Sequence, residues 1–312
     1  MSKEDPDTTP APKPTRYSLK KRRHIRSTDL LALATGSLSS NKLRSALTIC
    51  GITIGVFSVV GVMTALSAVG RSIDRGLSFL GANVFEISKY PAVMINDGWW
   101  NYRNRPNISL RESFRFKDLI EEDLGVKVST TMDDWGARAR YEDKQTAKNK
   151  RVVGTNEHFL FTANYDIAFG RNLTPDDVLF NRPVAVIGTE IREKLFPIED
   201  PLGKEFILDG HRYRIVGVLK ERGQIFGNSM DNLALIPVTR FMHTNYNRWR
   251  SMNIAVQATE AELFEETKEA AIGYMRLARE LEPEQPNNFE IYSNDSLRSS
   301  FARIARIVGT AG

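Results

Sequence analysis

The chain has 312 residues, with 43 Lys or Arg against 38 Asp or Glu for a net charge of +5. A mean hydropathy of −0.33 excludes a protein built mainly of membrane spans and leaves enough water-soluble chain for one large core or two smaller ones. The lone cysteine, Cys50, excludes an internal disulfide framework.

The charge is unevenly placed. Residues 1–44 hold ten Lys/Arg against four Asp/Glu, a surplus of +6, so the remainder of the chain stands at −1. Within that leader, residues 1–27 form a basic tail with Pro6, Pro10, Pro12 and Pro14 among polar residues, a composition that cannot bury a core and predicts disorder. Its cluster of Lys20, Lys21, Arg22, Arg23 and Arg26 lies just ahead of an apolar stretch, where it suits anionic lipid headgroups and membrane orientation rather than nucleic acid. Residues 28–44 read as an amphipathic interfacial helix: Thr28 can cap it, and Leu30, Leu31, Ala34 and Leu38 share one face. Lys42 and Arg44 follow at the mouth of the apolar run, and with Leu30, Leu31 and Leu38 they form the expected cytoplasmic interface.

From Ser45 to Gly70 there are 26 residues without a formal charge, which as helix measure about 39 Å against a hydrocarbon core of about 30 Å. The segment predicts a transmembrane helix at 45–70. Ala65-Leu66-Ser67 has the small residues of a signal-peptidase site, but the long charged leader and the length of the apolar run favour a retained anchor. Gly51, Gly55, Ser58, Gly61, Ala65 and Ala68 fall at helical spacing on one face, a stripe suited to packing against another helix in lipid. The positive-inside rule places the N-terminus in the cytoplasm and everything after the span outside.

Residues 71–82 form a stalk into a core domain at 83–297. In that domain 83–88 alternates like a strand, Ser109 and Glu112 make a capping box for a helix through Leu124, and 126–129 is a short strand. Near the other end, 253–257 reads as a strand, Thr259 and Glu262 as a second capping box, and 288–292 as a strand again. Two strand-helix-strand units, at 83–131 and 246–297, thus bracket a β-rich insert at 132–245, in which Asp209-Gly210 marks a tight hairpin. The fold class is α+β: one N-terminal transmembrane helix, then an extracytoplasmic domain made of a split ferredoxin-like subdomain with an inserted β-rich subdomain. Both ends of that layer return to the membrane, which places it on the near side.

Chemistry is not signalled. There is no GxxxxGK[ST] phosphate loop, HExxH or GxSxG motif, and His24, His158, His211 and His243 lack metal-ligand spacing. No catalytic, cofactor-binding or metal-ligating residue is assigned, and the chain is not expected to hydrolyse ATP. Asp133-Asp134 and Asp176-Asp177 read as solvated loops rather than acid/base dyads, and Trp99-Trp100-Asn-Tyr102-Arg103 as a packed loop, with a contact surface for a partner or the lipid interface as the alternative.

NKLRSALTICGITIGV at 41–56, followed by GRSIDRGLSFLGANVFEIS, resembles the opening of MacB/FtsX-like ABC-transporter permeases. VVGTNEHFLFTANYDIAFGRNLTPDD, RPVAVIGTEIREKLF, DPLGKEFILDGHRYRIVGVLKERG and NFEIYSNDSL continue the likeness in order, over about residues 28–306. The resemblance implies a porter-like subdomain and a permease subunit that couples a separate cytoplasmic ATPase, the user of ATP, to a periplasmic domain moving substrate or a partner. It also implies a bacterial inner-membrane location, a homodimer or a heterodimer with a related permease, contact with lipids, and a periplasmic adaptor as a further partner. Such permeases carry three more spans after the core domain, so 298–312, ending IARIVGTAG, is expected to be the start of a second span in a truncated chain. A single-pass anchored binding or signalling module, or a permease-like regulator of an envelope enzyme, are the competing functions.

The orientation is open to a direct test. Ser2→Cys is expected to be shielded from a membrane-impermeant maleimide in intact cells and Asn228→Cys to be labelled; labelling of the tail alone reverses the topology.

Overall fold

A computed structural model describes residues 42–77, 83–92, 102–225, 228–244, 250–293 and 296. The basic tail, Leu30, Leu31 and Leu38 of the interfacial helix, Trp99, Trp100 and the segment 298–312 lie outside these residues. The chain divides into two compact units, Met1–Thr64 and Ala65–Gly312.

Helix α1 (Lys42–Leu77) has 36 residues, about 54 Å at 1.5 Å per residue. The expected span and the first part of the expected stalk are therefore one helix, with no break at Gly70. Lys42–Ala65 is long and apolar enough to cross a membrane by length and composition. Its large side chains are laid open, with Leu47, Ile52, Phe57 and Val60 all more than half exposed. That surface is costly in water and natural in lipid, where a helix meets its own backbone hydrogen bonds. The Thr48 hydroxyl is covered in the same way, donating to the Arg44 carbonyl at 2.9 Å.

The second unit runs in chain order through β1 (Val84–Ser88), α2 (Leu110–Leu124), β2 (Lys127–Ala137), β3 (Ala139–Tyr141), β4 (Lys144–Gln145), β5 (Lys150–Thr155) and α3 (Phe159–Thr162). It continues with β6 (Ile167–Gly170), α4 (Pro175–Leu179), β7 (Val184–Ile187), α5 (Thr189–Leu195), β8 (Glu205–Leu208), β9 (His211–Leu219), β10 (Gln224–Ile225) and β11 (Asn228–Ser229). β12 (Leu233–Pro237), α6 (Val238–Thr244), β13 (Asn253–Gln257), α7 (Phe264–Ala278) and β14 (Glu290–Ser293) complete it. Strands join in the order β14, β1, β13, β2, β5, β12, β7, β9, β8, β3, β4, with β6 added on β9 and β10–β11 a separate hairpin.

The first four strands are antiparallel throughout, with α2 connecting β1 to β2 and α7 connecting β13 to β14, which is the split ferredoxin-like arrangement. Phe85, Ile87, Val128, Ile254 and Val256 turn toward the helices and meet Phe116, Ile120, Ala271 and Met275. β2 does not stop at the end of this layer. Residues 127–131 pair with β13 and residues 132–137 with β5, so one strand serves both parts of the sheet. The same buried cluster then runs on through Val152, Ile187, Ile236 and Phe241. A second cluster, with Val153, Leu160, Val186, Leu219 and Leu235, covers the other face of the central strands. The β-rich insert also holds parallel pairs, β5–β12 and β7–β9, and the short helices α3–α6.

Local signals explain much of this layout. Ser109 caps α2: its Oγ accepts from the Glu112 N–H at 3.2 Å, and Glu112 Oε2 accepts from the Ser109 N–H at 2.6 Å. Asp209 and Gly210 take φ of +46° and +88° between paired Leu208 and His211, the two left-handed residues that a type I′ hairpin requires.

Two expectations need correction. Thr259 and Glu262 do not cap α7; the helix starts at Phe264 with Leu263 as an N-cap that makes no side-chain hydrogen bond, after a turn in which the Phe264 N–H donates to the Ala261 carbonyl at 3.2 Å. The acidic pairs are not solvated loops either. Asp133 and Asp134 lie within β2, paired with Arg151 (3.1 Å) and Arg250 (2.5 Å). Asp177 is the buried third residue of a capping box from Thr174 and is paired with Arg171 at 2.6 Å. Burial alone would raise the Asp177 carboxyl; Arg171 and Thr174 hold it below the usual carboxylate range instead.

Two glycines separate packing from helix propensity. A Cβ on Gly154 of β5 would lie 2.3 Å from the Phe241 Cβ of α6, whereas one on Gly273, inside α7, would meet nothing within 4 Å. Gly154→Ala is expected to destabilise the outer unit by about 1–3 kcal/mol, and Gly273→Ala to stabilise it by about 1 kcal/mol. Denaturant midpoints of the two variants check both signs.

Candidate functional site

Gly51, Gly55, Ser58, Gly61, Ala65 and Ala68 all fall on α1 and all are exposed. A Cβ added at Gly51, Gly55 or Gly61 would meet nothing within 4 Å, so the small-residue stripe is open in the single chain. Lys42 and Arg44 occupy the first turn of α1 and are exposed as well. Among the described residues no group of three His, Cys, Asp or Glu side chains could hold a metal ion.

The outer unit carries a cleft that the sequence did not announce. It opens on the sheet face opposite α2 and α7, has a volume of about 200 Å³, and is built on one cross-strand row in which Tyr292, Glu86, Ala255 and Ser129 stand side by side. Alternation in each strand puts these residues on one face while their neighbours enter the core. Ala255 is the shortest side chain of the row, and the hollow lies over it between Glu86 and Ser129. The far wall is α3 and the chain after it. The Ser129 and Thr162 hydroxyls are 2.7 Å apart, and Asn156 Nδ2 donates to the Val128 carbonyl at 2.9 Å, which fastens this wall to β2.

Charge is concentrated here. Glu86 accepts from the Tyr292 hydroxyl at 2.6 Å through Oε2. Arg151 donates its Nε to Asp133 Oδ2 at 3.1 Å, with its guanidinium 5.6 Å from the centre of the exposed Trp135 ring. Arg222 lies 4.1 Å over the Tyr165 ring and donates to the Ala163 carbonyl at 2.8 Å, while Asp231 holds the backbone N–H groups of Arg222 and Gly223 at 2.8 and 2.7 Å. Loss of water around Glu86 pushes its carboxyl above the usual range, against the opposing pull of the Tyr292 hydroxyl and Arg151. Burial raises the Tyr165 phenol too, and the positive charge of both Arg222 and Arg151 reaches it.

None of these residues was singled out by sequence pattern, apart from Asp133 as part of an acidic pair. Glu86 stands between Phe85 and Ile87 in an alternating strand, as an outward-facing residue does, and only the pairing with Tyr292 shows that the outward face is itself partly covered.

A family profile described as MacB-like periplasmic core domain matches residues 45–274. A macrolide export ATP-binding/permease protein MacB of Rhodopirellula baltica is 28% identical over 213 residues, covering 68% of this chain and 30% of the relative. The protein of the same description from Nitrobacter winogradskyi is 28% identical over 292 residues, covering 89% of this chain and 43% of the relative. The chain thus spans less than half the length of these relatives. Among solved structures, the periplasmic region of MacB from Actinobacillus actinomycetemcomitans superposes with a TM-score of 0.56 at 17% identity, over 74% of this chain and 97% of that one. The extracellular domain of the noncanonic ABC-type transporter YknZ from Gram-positive bacteria gives 0.51 at 20% identity, over 67% of this chain and all of that one.

A carboxyl raised on folding binds its proton more readily in the folded state, so stability is greatest below the unfolded glutamate value, near 4.3, and falls as pH rises through the folded one. Glu86→Gln keeps an acceptor for Tyr292 and removes that ionisation. The variant is expected to be more stable than the parent at pH 7.5, with the gap closing below about pH 4, as read from denaturant midpoints across the pH range.

Proposed function

The chain belongs to the family with a MacB-like periplasmic core domain, and from that premise we propose that it is the permease subunit of an ABC-type export or mechanotransmission system. The observation that carries this reading is α1: an apolar segment fit to cross a membrane continues without a break to Leu77, only a few residues short of β1. A continuous helix transmits axial force and rotation that a flexible linker would dissipate. In this reading a cytoplasmic ATPase supplies the energy, a reading supported by relatives described as ATP-binding/permease proteins. The basic leader sets the N-terminus in the cytoplasm, and the outer unit works on the periplasmic side of the inner membrane.

In this reading the stripe from Gly51 to Ala68 packs against a helix of the same or a related permease, because small residues are what allow helices to approach closely in lipid. The amphipathic segment with Leu30, Leu31 and Leu38, together with Lys42 and Arg44, lies where the ATPase engages the chain. The cargo is not named by the fold, which serves many substrates.

The test uses a full-length version in membranes with its ATPase. Placing Glu at both Leu31 and Leu38 is expected to reduce recovery of the ATPase in a pull-down, and Gly55→Leu to weaken crosslinking between permease helices while Val60→Leu does not. Undiminished ATPase recovery removes the leader from the coupling, and ATP turnover by the purified chain contradicts the permease reading.

A further inference from the structure

The polar cleft holds an acceptor and a donor set that the fold leaves unused. Glu86 spends Oε2 on Tyr292, its one side-chain hydrogen bond among the described residues, which leaves Oε1 for another donor. Arg151 spends Nε on Asp133, and its two Nη groups have no hydrogen-bond partner among the described residues. Both side chains line the same space of about 200 Å³, where Arg222, itself engaged by the Ala163 carbonyl and the Tyr165 ring, adds a second positive charge and the hydrogen-bonded hydroxyls of Ser129, Thr131 and Thr162 complete the polar lining. Phe159 and Met230 give it an apolar wall. A structural ion-pair network would spend these groups on one another, as Asp133 and Arg151 do; here a carboxylate oxygen and a guanidinium fork face a common hollow.

Size and charge narrow what fits. At about 30 Å³ per water the hollow holds on the order of seven waters, the bulk of one amino acid. The ionised lining is balanced, with Glu86 and Asp133 against Arg151 and Arg222. A simple anion would sit beside two carboxylates and a simple cation beside two guanidiniums, whereas a molecule bearing both charges satisfies both ends and leaves the cleft neutral. We propose that this cleft binds a small zwitterion of α-amino-acid type, its carboxylate on Arg151 and Arg222, its ammonium on Glu86 and its apolar side chain against Phe159 and Met230. The site is a function of the outer unit alone and goes beyond the permease reading, since it asks nothing of an ATPase. An ammonium beside Glu86 also answers the cost of holding that carboxylate out of water, which raises its pKa in the empty cleft.

The whole chain in lipid nanodiscs is titrated with L-leucine, with N-acetyl-L-leucine, which lacks the ammonium, and with L-leucinamide, which lacks the carboxylate. Saturable binding of leucine is expected, with each blocked analogue weaker by roughly tenfold or more, the scale of one lost charge-assisted hydrogen bond. Arg151→Gln is expected to weaken leucine binding and erase its advantage over leucinamide. Because that change also releases Asp133, Glu86→Gln decides the matter: Gln still accepts from Tyr292, and the advantage of leucine over N-acetyl-leucine is expected to disappear. Absence of saturable leucine binding up to its solubility, equal affinity for the three probes, or survival of the leucine preference in Glu86→Gln each overturns the proposal.

Discussion

β2 is the strand on which the outer unit depends. Its first five residues close the ferredoxin-like layer against β13 and its last six open the insert against β5. A strand with partners on both sides cannot slip by one residue without turning every buried side chain outward, so register in either part fixes register in the other. The insert also returns where it left: Thr131, the last β2 residue of the layer, stands opposite Asn253, the first residue of β13. Adjacent exit and entry allow over a hundred residues to be inserted without disturbing the order β14, β1, β13, β2. The shared buried cluster, from Phe85 and Met275 across to Ile187 and Phe241, makes the connection a packed one as well as a hydrogen-bonded one.

What could be read from sequence was local. The Ser109 capping box and the Asp209-Gly210 hairpin are each written within about fifteen residues, the two bracketing strand-helix-strand units are built from short signals of the same kind, and the structure has them. The extent of β2 was not legible, because Asp133-Asp134 looks like the end of a strand. Those carboxylates remain in the sheet because Arg151 and Arg250, 18 and 116 residues away, neutralise them. Asp177 misled in the same manner, its partners Arg171 and Arg182 lying close in sequence but meeting only through the α4 turn. Charge pairing across a fold has no period, and pattern reading depends on period.

The cleft escaped for a related reason. Its chemistry comes from five separate elements, and none of Glu86, Arg151, Tyr165 or Arg222 belongs to a recognisable spacing. The hollow itself is made by a small residue, Ala255, in the middle of a row of larger ones. The family, by contrast, was legible from ordered phrases along the chain, even though the structural neighbours share only 17% and 20% identity with it.

Native-state hydrogen exchange of β2 examines whether the two parts of the outer unit form one cooperative body. If the strand couples them, the amides of Val128–Thr131 and of Met132–Trp135 exchange with the same opening free energy and the same dependence on denaturant. Exchange of the second group through a separate, lower-energy opening, while the first stays protected, would show the insert to be an independent module and contradict the shared-strand account.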